Sequence, residues 1–454
     1  MPPNPVLVSE SAQNANRISQ GERILTLTEN PSKQAGVQAF SVQNWDEAIA
    51  EFDRARISDP NDPESKIYYN NAQARKAGAP MTVAVVVPIT PAVTRAQEIL
   101  RGIAQYQDEY NRDPVYPGQL MEVAIVDAVS ASAVPALADD LIQASAVLGV
   151  LGHGLDASSQ LAIQKYEQAG LPILSPLTTE VTPTGTDRKS TLRMLNLTQA
   201  SSSIATAYIA GMGKSLAEHV ARREPRSPTV VFFNSDSPYS VQVKDSYKTA
   251  INQKGGTIVR IAQGRQPVPE EAVDVARPGF DPVASLAYAR EQGARAVLLA
   301  LSAEQLPMAL AIAQANAASP EPLLLVGSDE LYGPQILVKG DRAIEGMVLA
   351  VPWISKPGDN FAEDAVEVWK GRINWRTSIT YDATRGLIGA LKLSPSRQEA
   401  LQKLVSPTGI ELLGAASRVD TLDRTPLVQA VPAADARKGL GRPEGSNFQF
   451  DPVL

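Results

Sequence analysis

The first residues able to do chemistry lie in Val147–Gly170, VLGVLGHGLDASSQLAIQKYEQAG. An apolar strand runs into Gly152, His153 and Gly154, then into Asp156, Ser158 and Ser159, where a helix starts. Free backbone N–H groups at a helix start, with hydroxyls beside them, can hold a small anion such as a carboxylate, and glycine lets it approach the backbone. The same residue types also make a tight turn into a capped helix. His153 and His219 are the only histidines, and the chain has no cysteine. That removes disulfides, thiolate metal sites and Cys nucleophiles, and it starves His-based mechanisms of parts. His153 is therefore expected to border the site without catalysing anything. No paired acid–base constellation, metal cluster or Gly-rich phosphate loop stands out, so no enzyme, metal or cofactor is expected.

The elements that must position these residues follow from periodicity. From Met81 onward, near-continuous apolar runs alternate with helical segments. The expected strands are 83–89, 122–128, 146–152, 172–176, 229–236, 257–262, 296–302, 322–329 and 346–353. Such runs suit parallel strands covered on both faces, and the βαβ rhythm argues for doubly wound α/β sheets in two lobes. Ligands of open parallel sheets sit at the strands' carboxyl ends. Those ends carry Thr90, Asp127, the Gly152–Gly154 turn, Thr178 and Thr179, Asn234 to Asp236, Ser302, and Ser328 with Asp329. Hydroxyls and a few carboxylates make a recognition surface. Thr178 and Thr179 also suit a turn before Pro183, and Asp329 suits a helix cap.

Residues 1–32 are polar and read as irregular. Residues 33–77 read as helices, with Ala39, Trp45, Ala48, Ile49, Phe52 and Ala55 at helical spacing and Asp59-Pro60 as a stop. Gly36, Ala48, Phe52, Ala55 and Pro60 stand at the offsets of a tetratricopeptide repeat, which this segment resembles. One repeat cannot bury its own apolar face, so it must pack on something. Net charge is −7 with 20% charged residues. Without a basic stripe, nucleic acid is not an expected partner. No apolar run reaches the length of a membrane span, so no direct membrane insertion is expected. The first residues, MPPNPVLVSESAQNANR, lack the pattern of an export signal, which leaves a cytoplasmic protein or one whose signal has been removed.

Four blocks carry a family resemblance: VVVPITPAVTRAQEILRGIAQYQDEYN; VLGVLGHGLDASSQLAIQKYEQAGLPILSPLTTEVTPTG; VVFFNSDSPYSVQVKDSYKTAINQKGGTIV; and LLLVGSDELYG with AIEGMVLAVPW. The chain from Met81 onward resembles type I periplasmic binding proteins of the branched-chain amino acid (Leu/Ile/Val-binding) class, the solute receptors of ABC importers. The resemblance implies two Rossmann-like lobes joined by three hinge crossovers. Lobe one would be 81–197 with 354–420, and lobe two 198–353 with 421–454. It also implies that Ser158, Ser159, Thr178 and Thr179 grip a ligand carboxylate in lobe one. In lobe two it implies that Tyr239 contributes an aromatic and Asp329 an acid for the ligand ammonium. Ser302 stands where amino acid receptors often carry an aromatic. Asp156, in a turn one residue longer than usual, would repel a carboxylate if it faced the cleft.

The reading is a solute receptor for an amino acid or related small amide, closing on its ligand and serving ABC importer membrane subunits from the periplasm or cell envelope. Two alternatives share the fold: an interaction protein, such as a lipoprotein-type activator of peptidoglycan synthesis, and the ligand-sensing domain of a regulator.

Overall fold

In a computed structural model of the 454-residue chain, the residues described are 14, 16–26, 29–113, 119–154, 157–175, 179–184, 189–194, 204–261, 270–354, 360–370, 373–392, 395–406, 410–413, 425–433 and 446–453. The chain divides into two compact units, Met1–Ser202 with Ser355–Asp420, and Ser203–Ile354 with Thr421–Leu454. It thus passes from one unit to the other three times. The α/β class, the parallel sheets and the helical N-terminal segment agree with the sequence reading.

Unit one starts with a short strand, β1 (Ile18–Ser19), and three helices, α1 (Pro31–Ser41), α2 (Trp45–Ser58) and α3 (Pro63–Ala77). Each helix start is written in the sequence. Asn30, Asn44 and Asp62 are the N-caps, and their side chains accept backbone N–H groups of the first turn. Gly36 has no room for a side chain because the Phe52 ring lies against it, which is the physical content of the repeat-like pattern. Phe40 and Trp45 meet edge to face, and Phe52 meets Tyr68, with ring centroids 5.0 and 5.5 Å apart.

The α/β part of unit one follows: β2 (Met81–Val87), α4 (Ile89–Arg112), β3 (Met121–Asp127), α5 (Val134–Gln143), β4 (Val147–Gly152), α6 (Ala157–Gln168) and β5 (Ile173–Leu174). The sheet order is β1-β3-β2-β4-β5, parallel except for β1. The helix Trp375–Leu391 returns from late in the chain to lie on α4. Thr377 and Thr380 donate to the Glu98 and Ile99 carbonyls at 2.9 and 3.0 Å, and Gly102 permits the approach. A separate three-stranded sheet contains β6 (Thr179–Thr184), β7 (Lys189–Met194) and the strand Ile410–Leu413.

One sequence expectation needs correction here. The segment 1–32 is not wholly irregular: Ile18 and Ser19 pair with Val126 and Ile125 and add an antiparallel edge strand. Residues 33–77 pack on the α/β part. Their core is continuous with the α/β core, from Phe40 and Phe52 through Ile67 and Tyr68 to Val83 and Val123. The Asn71 amide donates to the Val123 carbonyl (2.8 Å) and accepts the Val123 N–H (2.9 Å). Glu122, buried on β3, takes Arg75 of α3 as ion partner and accepts from Gln20 (2.7 Å) and Thr82 (2.7 Å). The segment has found its partner, and it is the sheet edge.

Unit two holds β8 (Pro228–Phe233), β9 (Thr257–Ile258), β10 (Arg260–Ile261), β11 (Glu270–Glu271), β12 (Val273–Asp274), β13 (Ala296–Ala300), β14 (Leu324–Gly327) and β15 (Val348–Ala350). Its main sheet runs β12-β8-β13-β14-β15 in parallel, with β9 also on β8. Leu427–Pro432 and Phe448–Pro452 extend it antiparallel. Several strands stop short of their apolar runs. Ile89 starts α4, Ser302 and Asp329 open single helical turns, and the run 257–262 breaks at Val259.

Candidate functional site

The turn that opened the sequence analysis sits at the carboxyl end of β4. Gly152 has φ +103°, and a Cβ there would collide with the Val86 carbonyl of β2. The glycine is required by the neighbouring strand, independently of any ligand. His153 follows with φ +64°. Its Nε2 lies 3.2 Å from the Tyr166 hydroxyl, and its carbonyl accepts from Ser175 (3.3 Å). Burial pushes the Tyr166 phenol up, with a further push from the Asp139 charge. His153 therefore stands in a ring contact that fixes the turn.

The two serines separate in role. Ser159 is buried, and its Oγ accepts the Gly154 N–H at 3.1 Å, so this hydroxyl closes the turn. Ser158, one residue earlier in the first turn of α6, is half-buried. Thr178 and Asp156 lie outside the described residues, and Thr179 opens β6. On the same sheet edge Asp127 accepts the Thr90 N–H at 3.0 Å and also the Thr90 hydroxyl, tying the end of β3 to the start of α4.

In unit two the strand ends gather a second group. Pro238–Gln253 forms a helix with Ser237 as N-cap, which places Tyr239 in its first turn just after β8. The Tyr239 hydroxyl donates to Asp329, the first residue of the turn after β14. Asp329 is 1% exposed. Burial, and then the Asp329 charge, push the Tyr239 and Tyr208 phenols well above the usual tyrosine range. Ser328 donates to the Leu301 carbonyl at 2.8 Å and locks the turn to the end of β13. Ser302 makes a capping box with Gln305, whose side chain accepts both the Ser302 hydroxyl and its N–H. Its hydroxyl is thereby committed locally.

Sequence reasoning named Tyr239 and Asp329, which the structure joins, and passed over two further residues of unit two. Asp274, ending β12, accepts the N–H groups of Ser235 and Ala276 at 3.1 Å each and lies 3.4 Å from Arg277. Burial acts against its charge, yet these hydrogen bonds and the Arg277 charge hold its carboxyl below the usual range. Its strand has only two residues, too few for a periodic signal. Tyr208 sits inside the helix Ile204–Arg223, where a tyrosine reads as ordinary core. Among the described residues no group of three or more His, Asp or Glu is arranged to hold a metal ion, and no helix is long and apolar enough to cross a membrane.

Parallel α/β sheets in two units, linked by three passages of the chain, define the type I periplasmic binding protein fold. A family model described as periplasmic binding protein matches residues 80–439, and the chain belongs to that family. The match begins where β2 begins, so α1 to α3 stand outside it. Among solved structures, the chain is similar to a leucine binding protein, LivK, from Thermotoga maritima MSB8 (17% identity, 82% of this chain and 97% of that chain covered, TM-score 0.57). It is similar to the substrate binding protein LivJ of Streptococcus pneumoniae, solved with isoleucine (15% identity, 82% and 99% covered, TM-score 0.61). A solute binding protein from R. palustris, solved with benzoate, matches comparably (15% identity, 82% and 95% covered, TM-score 0.56). At such identities the likeness is one of fold. No curated protein matches this chain.

Proposed function

We propose that this protein is a non-enzymatic solute receptor of an ABC importer, working in the periplasm or cell envelope and binding an amino acid or related small amide. The observation that carries the reading is the Tyr239–Asp329 pair, an acid held by a phenol at a strand's carboxyl end in a periplasmic binding protein. In this reading Asp329 receives the ligand ammonium with Tyr239 beside it. The α6 N-terminus, with Ser158 and the threonines Thr178 and Thr179, receives the carboxylate. Ser159, His153 and Ser302 support the walls. A buried carboxylate meeting an ammonium makes a charge-assisted bond, worth about 1.5–3 kcal/mol.

Amino acids, amides and aromatic carboxylates are the panel for the test, because similar folds have been solved with isoleucine, leucine and benzoate. Thermal unfolding against that panel, with mass spectrometry of any small molecule released on denaturation, decides. A zwitterion that raises the midpoint supports the reading. Stabilisation by benzoate alone, with none from amino acids, overturns the ammonium site. No stabilisation by any member favours the interaction protein.

A further inference from the structure

The helix Ile204–Arg223 carries a phenol that nothing above employs. Tyr208 is 6% exposed, and its enclosed hydroxyl meets no acceptor at full hydrogen-bond geometry. Its helix packs on β14, whose end carries Asp329, and on the helix Pro238–Gln253, which carries Tyr239. The titratable groups that act on Tyr208 are Asp329 first, then Tyr239 and Glu330. A buried O–H without an acceptor is costly, and phenol-to-carboxylate bonds are among the strong ones. The acceptor in front of Tyr208 already takes one phenol, from Tyr239.

We propose that Tyr208 is a positioning residue: its hydroxyl is the second phenolic donor to Asp329, and with Tyr239 it holds that carboxylate aimed at a ligand cation. The ligand half of this statement rests on the function proposed above; the contact between Tyr208 and Asp329 does not. Two phenols on one carboxylate offset the loss of water around a buried charge while leaving room for an incoming ammonium. A ligand without a cation would gain nothing from them.

The test uses the full chain and begins without ligand. Tyr208→Phe removes only the hydroxyl. Urea unfolding at pH 7 should show the folding equilibrium constant reduced roughly tenfold, and the loss should shrink to under about threefold when Asp329 is already Asn. An equal loss in both backgrounds, or no loss, overturns the proposal. Should Asp329→Asn fail to fold, carboxyl-carbon NMR of Asp-labelled protein gives the same answer. In Tyr208→Phe one aspartate must titrate at a higher pH than in the parent, an effect packing alone would not produce, and unmoved titrations overturn the proposal. Calorimetry with L-leucine as probe then separates the two halves. Affinity lost in both Asp329→Asn and Tyr208→Phe supports the positioning role. Coupling without any change in leucine affinity overturns that role and the ammonium reading together, leaving a structural contact.

Discussion

Gly152 and Ser159 show how one turn is fixed by its own neighbours in the fold. At Gly152 the backbone has φ +103° and the Val86 carbonyl fills the space a side chain would need. Gly152→Ala should therefore cost about 2–4 kcal/mol of stability, read by urea unfolding. Ser159→Ala strands the buried Gly154 N–H and should cost about 1–3 kcal/mol. Ser158→Ala belongs to a different account: under the proposed function it should weaken ligand binding by about 0.5–1.5 kcal/mol, because backbone donors at the same helix end remain. Asp329→Asn should weaken binding of a zwitterion by roughly one to two orders of magnitude, since about 1.4 kcal/mol is tenfold. Calorimetry of the two variants settles the order, and a Ser158 effect larger than the Asp329 effect would sink the ammonium assignment. Lys33 is the other residue-scale test. Its ammonium is buried between Asp62 (2.8 Å) and Glu64 (2.5 Å). Burial alone would lower its pKa, but the two carboxylates outweigh it and raise the value above the usual 10.5. A raised folded-state pKa means a stabilising contribution that is complete below about pH 10.5 and disappears as pH rises through the folded value. Lys33→Met should remove this alkaline limb and, by leaving two buried carboxylates unneutralised, cost about 3–5 kcal/mol at pH 7.

At the scale of elements, the strand β1 and helices α1 to α3 decide how the molecule can be cut. The abrupt change of texture near Met81 suggests that residues 1–77 can be removed without touching the ligand. The packing argues otherwise for the fold. Deletion would bare the edge of β3, take Arg75 and Gln20 from the buried Glu122 carboxylate, and leave the Val123 N–H and carbonyl without Asn71. An uncompensated buried charge and an open strand edge are each serious liabilities. A chain beginning at residue 78 should be insoluble or should unfold at least 10 °C lower, roughly the shift that several kcal/mol produces in a domain of this size. Calorimetric unfolding of the truncation at the parent's midpoint would refute this. The same packing explains why a single repeat-like pair of helices persists here: the apolar face that further repeats would cover is covered by α4 and β3.

At the scale of the whole molecule, the chain passes three times between two units. Under the proposed function, X-ray scattering should report a smaller radius of gyration once the true ligand saturates the protein. An unchanged curve at saturation would count for the interaction-protein alternative.

The α/β class and the strand-end logic were legible because they rest on local signals: apolar runs of strand length and helical periodicity. The four colinear blocks carried the family, and the family model matches over the same region. Strand lengths were not legible, since Ser302 and Asp329 look like strand continuations until their turns are seen. Nor was β1, whose two residues carry no period and become a strand only because β3 offers an open edge. The sequence could name Asp329, Tyr239 and the serines as the right chemistry near strand ends. Only packing decided that Ser159 is committed to Gly154, that Ser302 is committed to Gln305, and that the Tyr208 hydroxyl is enclosed. The reason is physical: periodicity and residue type are properties of neighbours along the chain, whereas a hydrogen-bond partner separated by 90 residues, as Tyr239 is from Asp329, exists only after the sheet has brought them together.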